Sequence, residues 1–389
     1  MRIYLDHNAS APIRDCARVA MIGCIEECGH GNPASVHRAG QRARRMIENA
    51  RGRVASLIDA PARSVIFTSG GSEANNLAIF GAAEASGPAR RKIVSSAIEH
   101  SSVLAPLARL ESQGFEVVRI TPDADGRLAP QHIIDAIDGG TALVTLALAN
   151  AETGTIQKLA PVAGATARQG VLFHIDAAQA VGRIAVSVNE LGCDLMTLSA
   201  HKLGGPAGIG ALYLRRGVAI AQQILGGPQE SGLRAGTPNL IGVAGFGAAA
   251  EESARVNGEE SARVAALADA LLLRLFAEIP GLRLNGPRCG RIANTLNLTF
   301  PGVLGESLLI ALDLEGVEVS MGSACAAGAV ELSHVLTAMG RSAADARSSL
   351  RLSLGWNTTA EEIARAREII PRVWRRVAAA EPAAGEALR

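Results

Sequence analysis

Aromatic residues are scarce in this chain: seven Phe, two Tyr and two Trp make up 3% of 389 residues. Proteins that hold single-stranded nucleic acid stack its bases on aromatic rings. The formal net charge is only +1, so the electrostatic attraction to phosphate is missing as well, and no nucleic-acid partner is expected. Long hydrophobic runs are also missing. No stretch approaches the ~20 apolar residues of a membrane span. The opening MRIYLDHNASAP lacks the basic-then-apolar build of a signal peptide. Both absences lead to the expectation of a cytoplasmic protein with no membrane partner. Cysteines number six, and in such a compartment they read as free thiols, not a disulfide framework. Cys24 and Cys28, with His30 nearby, lack the second ligand pair of a metal site, so no metal is expected.

What the chain does have is a globular composition, 48% hydrophobic, at a length that suits two or three domains of ~100–200 residues. Short apolar runs bounded by turn residues read as buried strands: Val65–Thr68, 92–97, 117–121, 142–149, 171–175, 195–198 and 211–214. Helices are expected at 37–58, capped by Ser35, and at 77–85. The first of these carries Arg38, Arg42, Arg44, Arg45, Arg51 and Arg53, read as a solvated face with glutamate partners. The alternation makes an α/β fold with a doubly wound, mostly parallel sheet. An alanine-rich helix over 241–277, with a break at Gly258, leads to a smaller α+β domain. That domain holds strand 294–299, helix Gly305–Leu314, strand 317–320 and a helix from about Ala360 that ends in a frayed tail. The expected division is a large domain over 14–255 and a small one made of 1–13 with 256–389.

Function is written most clearly between His174 and Lys202. In open α/β sheets, ligands sit beyond the carboxyl ends of the strands. Strand 171–175 leads to Asp176 and, three residues on, Gln179. Strand 195–198 leads to Ser199, His201 and Lys202. A carboxylate, an amide, a hydroxyl, an imidazole and an amine at one sheet edge suit pyridoxal 5'-phosphate (PLP). Its aldehyde is held by a lysine as a Schiff base and its pyridinium nitrogen by an aspartate. Such a lysine must act as a free amine, and burial near cations lowers its pKa. Between strand Val65–Thr68 and the next helix, Gly70-Gly71-Ser72 makes an anion site for the phosphate. This turn is neither GxGxxG nor a P-loop, which speaks against dinucleotides and nucleoside triphosphates. His100, beyond strand 92–97, reaches the same edge, placed to stack on a ring or move protons. Cys325 sits in a loop of small residues over 320–329, where a thiol is accessible and can attack soft sulfur. Arg351, in an apolar strand, needs an anion, either a substrate α-carboxylate or a structural partner.

Taken in order, YLDHNAS at Tyr4, GNPASVH at Gly31, FTSGGSEANN at Phe67, AIEHSSV at Ala97, HIDAAQAVG at His174, SAHKLGGPAGIG at Ser199, RAGTPN at Arg234, GSACAAG at Gly322 and SLRLSLG at Ser349 resemble the cysteine desulfurases. These are fold type I PLP-dependent transferases, akin to class-V aminotransferases. The resemblance implies that Lys202 carries the cofactor, Asp176 pairs with its ring nitrogen and Gln179 bonds its phenolate. It further implies that His100 stacks on the ring and assists proton transfer, and that Gly71, Ser72, Ser199 and His201 hold the phosphate. Thr237 would reach the phosphate in the partner subunit of a homodimer. Arg351 and Asn150 would hold the substrate, L-cysteine. Cys325 would take its sulfur as a persulfide, release L-alanine and pass the sulfur to an acceptor protein, a cluster scaffold or thiolation protein, for iron–sulfur cluster or other sulfur-cofactor assembly. The chain departs from the family pattern at Ala151, where a second asparagine is usual, and at Ala326 and Ala327, where hydroxyl residues are usual. A selenocysteine lyase, a cysteine lyase, an aminotransferase or a low-turnover specialised paralogue on the same scaffold are the alternatives.

Overall fold

The structure, a computed structural model, describes residues 2–28, 30–322 and 332–380. Its centre is a seven-stranded sheet built from β2 (Val65–Thr68), β3 (Lys92–Ser96), β4 (Glu116–Ile120), β5 (Thr141–Ala147), β6 (Leu172–Asp176), β7 (Leu195–Ser199) and β8 (Gly210–Leu214). The spatial order is β2-β8-β7-β6-β5-β3-β4. Neighbours pair in parallel except at β8, which runs antiparallel to both β2 and β7. All residues of β2 and β7, and nearly all of β3, β5 and β6, are buried, as expected of strands covered by helices on both faces. The parallel arrangement brings the carboxyl ends of β2, β3, β5, β6 and β7 to one edge.

A second apolar core gathers the two ends of the chain. Strand β1 (Ile3–Tyr4) pairs in parallel with β11 (Val317–Glu318), so Ile3 and Leu5 pack with Leu308, Leu312, Leu350, Leu352 and Ile370. Beside it, β9 (Arg283–Asn285), β10 (Thr295–Thr299) and β12 (Ser349–Ser353) form an antiparallel sheet in the order β12-β10-β9. Helix Leu240–Glu278 passes from the first core to the second. Val243, Phe246 and Ala250 belong to the first, and Val264, Leu271 and Leu275 to the second. Among the described residues, no helix is long and apolar enough to cross a membrane.

Several elements differ from the sequence expectation. The 39-residue helix has no break at Gly258. A mid-helix glycine costs only about 1 kcal/mol against alanine, and both ends of this helix are anchored in a core. The helix after β2 begins at Gly71, not Leu77, because the Gly70 carbonyl already accepts from the Ala74 N–H at 3.1 Å. Ser35 is not the cap of helix Arg38–Ser56. His37 is, with extended backbone and Nδ1 accepting from the Gly40 N–H at 3.3 Å. Five of that helix's six arginines are exposed, but Arg51 is buried and forms a bidentate pair with Glu230. The terminal helix Ala360–Ala380 runs into the segment expected to fray, and 381–389 lie outside the described residues.

Candidate active site

Strand ends deliver the site. The start of helix Gly71–Ala85 follows β2 after two residues. Its first N–H groups have no intrahelical acceptor and, with the helix dipole, favour an anion. Glycine is required for this approach. A Cβ on Gly71 would lie 3.3 Å from the Ser199 Cβ, and one on Gly210 would lie 2.6 Å from the Gly70 carbonyl carbon. The helix start is therefore seated on the end of β7 against buried Ser199, and Ser72, the next residue, is exposed.

Strand β6 ends on buried Asp176. Its Oδ2 accepts from Asn75 Nδ2 at 2.8 Å and its Oδ1 from the Ala178 N–H at 3.0 Å. Asn75 stands one helical turn after Gly71, on the same face. Below Asp176, His174 is fully buried between Thr145 Oγ1 at 2.8 Å and Thr197 Oγ1 at 3.0 Å. Burial pushes its pKa down to about 4, so it is a neutral core histidine.

Strand β7 passes through Ser199 into the single turn Ala200–Lys202. Lys202 Nζ donates to the backbone carbonyls of Asn8 at 2.6 Å and Ala9 at 2.9 Å. Burial, then the cations Arg183 and Arg351, push its pKa down to about 7, while Asp176 and Asp6 oppose the shift. That is the direction a Schiff-base lysine requires. His201 sits 3.2 Å from Ser10 Oγ and is pushed down to about 4 by burial, with Lys202, Arg183 and His100 adding to the effect. Gln179 donates from Nε2 to the Asn8 carbonyl at 3.0 Å and accepts from Arg183 at Oε1.

His100 caps helix Ser101–Ser112. Its Nδ1 accepts from the Ser102 N–H at 3.1 Å and lies 2.8 Å from Ser102 Oγ. Proton transfer at this imidazole therefore falls to Nε2. Burial lowers its pKa; Asp176 opposes, and Lys202 and His334 reinforce. Its neighbour Glu99 is buried, takes a 2.5 Å hydrogen bond from Ser96 Oγ, and is pushed up to about 8 by burial, with Asp176 adding.

The remaining expected residues lie around this centre. Arg351, on β12, is buried. It donates to Asp6 Oδ1 at 2.8 Å and to the Ala151 carbonyl at 3.3 Å, so in this structure its anion is a carboxylate of the chain itself. Asn150 has its side chain occupied at both ends by backbone groups, one of them on another segment. Nδ2 donates to the Ile98 carbonyl at 3.0 Å, while Oδ1 accepts from the Glu152 and Thr153 N–H groups at 2.9 and 3.0 Å. Thr237 is exposed in a separate hollow with Thr68, Ser69 and Arg234. Cys325 lies outside the described residues, but both flanks of its loop meet one side chain. Buried Glu152 accepts from Ser333 Oγ at 2.5 Å, and a Cβ on Gly322 would fall 2.0 Å from the same carboxylate oxygen.

Sequence reasoning missed Asn75, Arg183, Glu152 and the Asn8 and Ala9 carbonyls. Asn75 and Asn8 lie inside motifs already singled out, and a one-turn spacing from Gly71 was the available signal for Asn75. Among the described residues, no cluster could hold a metal ion. The donor set does fit PLP. There is an amine that is free near neutral pH, a carboxylate fixed at both oxygens, and a glycine cradle at a helix start. A buried carboxamide oxygen on Asn75 also has no partner.

The fold and this site together define the class: the chain belongs to the aminotransferase class-V family, whose profile matches residues 3–366. Within that family it stands with the cysteine desulfurases. It is 41% identical over 371 residues to a cysteine desulfurase IscS of Dictyoglomus turgidum, covering 95% of this chain and 94% of the relative. Among solved structures, a NifS-like protein superposes with a TM-score of 0.90 at 32% identity, covering 96% of this chain and all of the other. A structure of SspA in complex with cysteine matches at 0.82 and 32% identity, covering 92% of this chain and all of the other.

Proposed function

We propose that the protein is a PLP-dependent cysteine desulfurase that converts L-cysteine to L-alanine and carries the sulfur away on Cys325. The observation that carries this reading is the convergence at one sheet edge of Lys202, Asp176 and the start of helix Gly71–Ala85. Bound PLP supplies a ring that accepts electrons from a carbanion next to it. Lys202 holds the cofactor's aldehyde carbon, and Asp176 keeps the ring nitrogen protonated, itself kept in orientation by Asn75. Gln179 donates to the ring oxygen. Gly71, Ser72, Ser199 and His201 hold the phosphate, and Thr237 reaches the phosphate of the second subunit in a homodimer. Arg351 exchanges Asp6 for the substrate carboxylate, which it can grip through two parallel N–H bonds. Asn150 acts as a positioning residue through its turn, which presents the Ala151 carbonyl to Arg351. The Lys202 amine takes the Cα proton, and His100 Nε2 moves protons at the substrate sulfur. The Cys325 thiolate then attacks that sulfur. A sulfur–sulfur bond forms, the carbon–sulfur bond breaks and its electron pair stays on carbon, which takes a proton on the way to alanine. The persulfide passes to an acceptor protein in the cytoplasm. The division into a large domain over 14–255 and a small one over 1–13 with 256–389 is supported by the second apolar core, which draws only on the small-domain ranges, although Ile292, Val335, Leu336, Met339 and Ala346 pack in the first core.

A single turnover of the wild type with L-cysteine is expected to yield alanine and a protein persulfide in equal amounts. Cys325→Ala is expected to bind cofactor normally and yield neither. Alanine release by that variant at the wild-type rate, as in a lyase that needs no thiol, would defeat the proposal.

A further inference from the structure

We infer that Arg183 is a positioning residue of the cofactor site: its guanidinium fixes the Gln179 amide and sets an unneutralised cation behind Lys202. The inference rests on the PLP reading above and extends it. Arg183 follows Gln179 by one turn, and its fork reaches three separate segments. Nη1 donates to the Gln179 carbonyl at 2.9 Å and to Gln179 Oε1; Nη2 donates to the carbonyls of His7 at 3.2 Å and Lys202 at 3.4 Å. All four acceptors are uncharged oxygens. The one carboxylate lining the adjoining cleft, Glu260, is already held bidentate by Arg14 at 2.7 and 3.0 Å. Arg183 therefore has no carboxylate partner to cancel its charge, and burial, with Arg351 nearby, pushes its own pKa down to about 9, so near neutral pH it is still a cation.

Two consequences follow from this placement. An amide has one donor end and one acceptor end. With Oε1 turned to Arg183 and one Nε2 hydrogen on the Asn8 carbonyl, Gln179 has its second N–H left for a ring oxygen. Arg183 thus dictates which way round this amide sits. The second consequence is electrostatic. A like charge disfavours the protonated amine, and after burial Arg183 heads the causes of the lowered Lys202 pKa. The other groups that act at Lys202 are Arg351 on the same side, Asp176 and Asp6 against it, and the histidines His100 and His201, which feel Lys202 in turn. A lysine at position 183 would keep the charge but lose the fork, since it offers one nitrogen in place of two.

The test is a spectrophotometric pH titration of the visible band of bound PLP, without substrate, in wild type, Arg183→Lys, Arg183→Met and Arg183→Gln. Arg183→Met and Arg183→Gln should move the titration midpoint upward by about one pH unit. Arg183→Lys should leave the midpoint close to wild type but weaken PLP binding roughly tenfold, about 1.4 kcal/mol. An unmoved midpoint in whichever neutral variant folds, or a midpoint in Arg183→Lys that matches the neutral variants, overturns the inference while leaving the PLP site standing. A wild type that develops no visible band with PLP overturns the site reading and the inference with it.

Discussion

Lys202→Ala is expected to lower alanine formation from cysteine by at least ~10³-fold while leaving the protein folded. On the proposed mechanism, removing the amine takes away both the attachment point of the cofactor and the base that takes the Cα proton, and each such contribution is worth orders of magnitude. The fold should survive because the side chain is bound only to two backbone carbonyls, those of Asn8 and Ala9. Stability should even rise. The folded-state pKa of about 7 lies below the ordinary lysine value of 10.5. Between these values the unfolded chain binds the additional proton, so folding carries a cost that is full below about pH 7 and fades as pH rises toward 10.5. Lys202→Ala removes that cost. Its melting temperature should therefore exceed that of the cofactor-free wild type near pH 7, and the two should converge toward pH 10.5. Thermal melts at several pH values, beside single-turnover assays, measure both effects. Residual activity above a tenth of wild type would remove Lys202 from its role.

Glu230→Ala should produce the largest loss of stability, about 3–5 kcal/mol. The Glu230 carboxylate is buried. It receives Arg51 at 2.6 and 2.9 Å and the Phe67 N–H at 2.8 Å. Deleting it leaves a buried guanidinium without its main counter-charge and an unpaired N–H near the end of β2, just ahead of the turn into helix Gly71–Ala85. Glu230 also holds a left-handed backbone, φ 47°, which costs a non-glycine residue roughly 1–2 kcal/mol. The alanine variant keeps that strain and loses the pair that stabilises it. For a chain of this size the melting temperature should fall by about 4–6 °C. The double variant Arg51→Ala with Glu230→Ala should lose much less than the sum of the single losses, because the orphaned charge goes too. An additive double variant would show that the pair is not the source of the effect.

Much of the fold was legible because its strands are short apolar runs ending on turn residues. Strand Val65–Thr68 and helix Gly305–Leu314 fall where the pattern puts them. Strand β9 was not legible: it has three residues, begins on an exposed arginine and is defined only by pairing with β10. The same division holds at the site. Asp176 ends β6 and Lys202 lies in the turn directly after β7, so the parallel sheet brings both to one edge. What holds them does not follow from local pattern. Asn75 reaches Asp176 across 101 positions and Lys202 reaches Asn8 across 194. Arg351 reaches Asp6 across 345, and a sequence can announce that a buried arginine needs an anion without saying which.

Helix Leu240–Glu278, about 58 Å long at 1.5 Å per residue, has a consequence for how the molecule comes apart. Its first half is built into the core of the seven-stranded sheet and its second half into the core that joins the chain ends. Neither core can melt without exposing one half of a rod whose other half is still packed, and fraying a helix from its middle requires two new ends with unsatisfied backbone groups. Heating should therefore give one cooperative calorimetric transition, not two. A peptide-bond cut near Gly258, where an added Cβ would meet nothing within 4 Å, should split it into two.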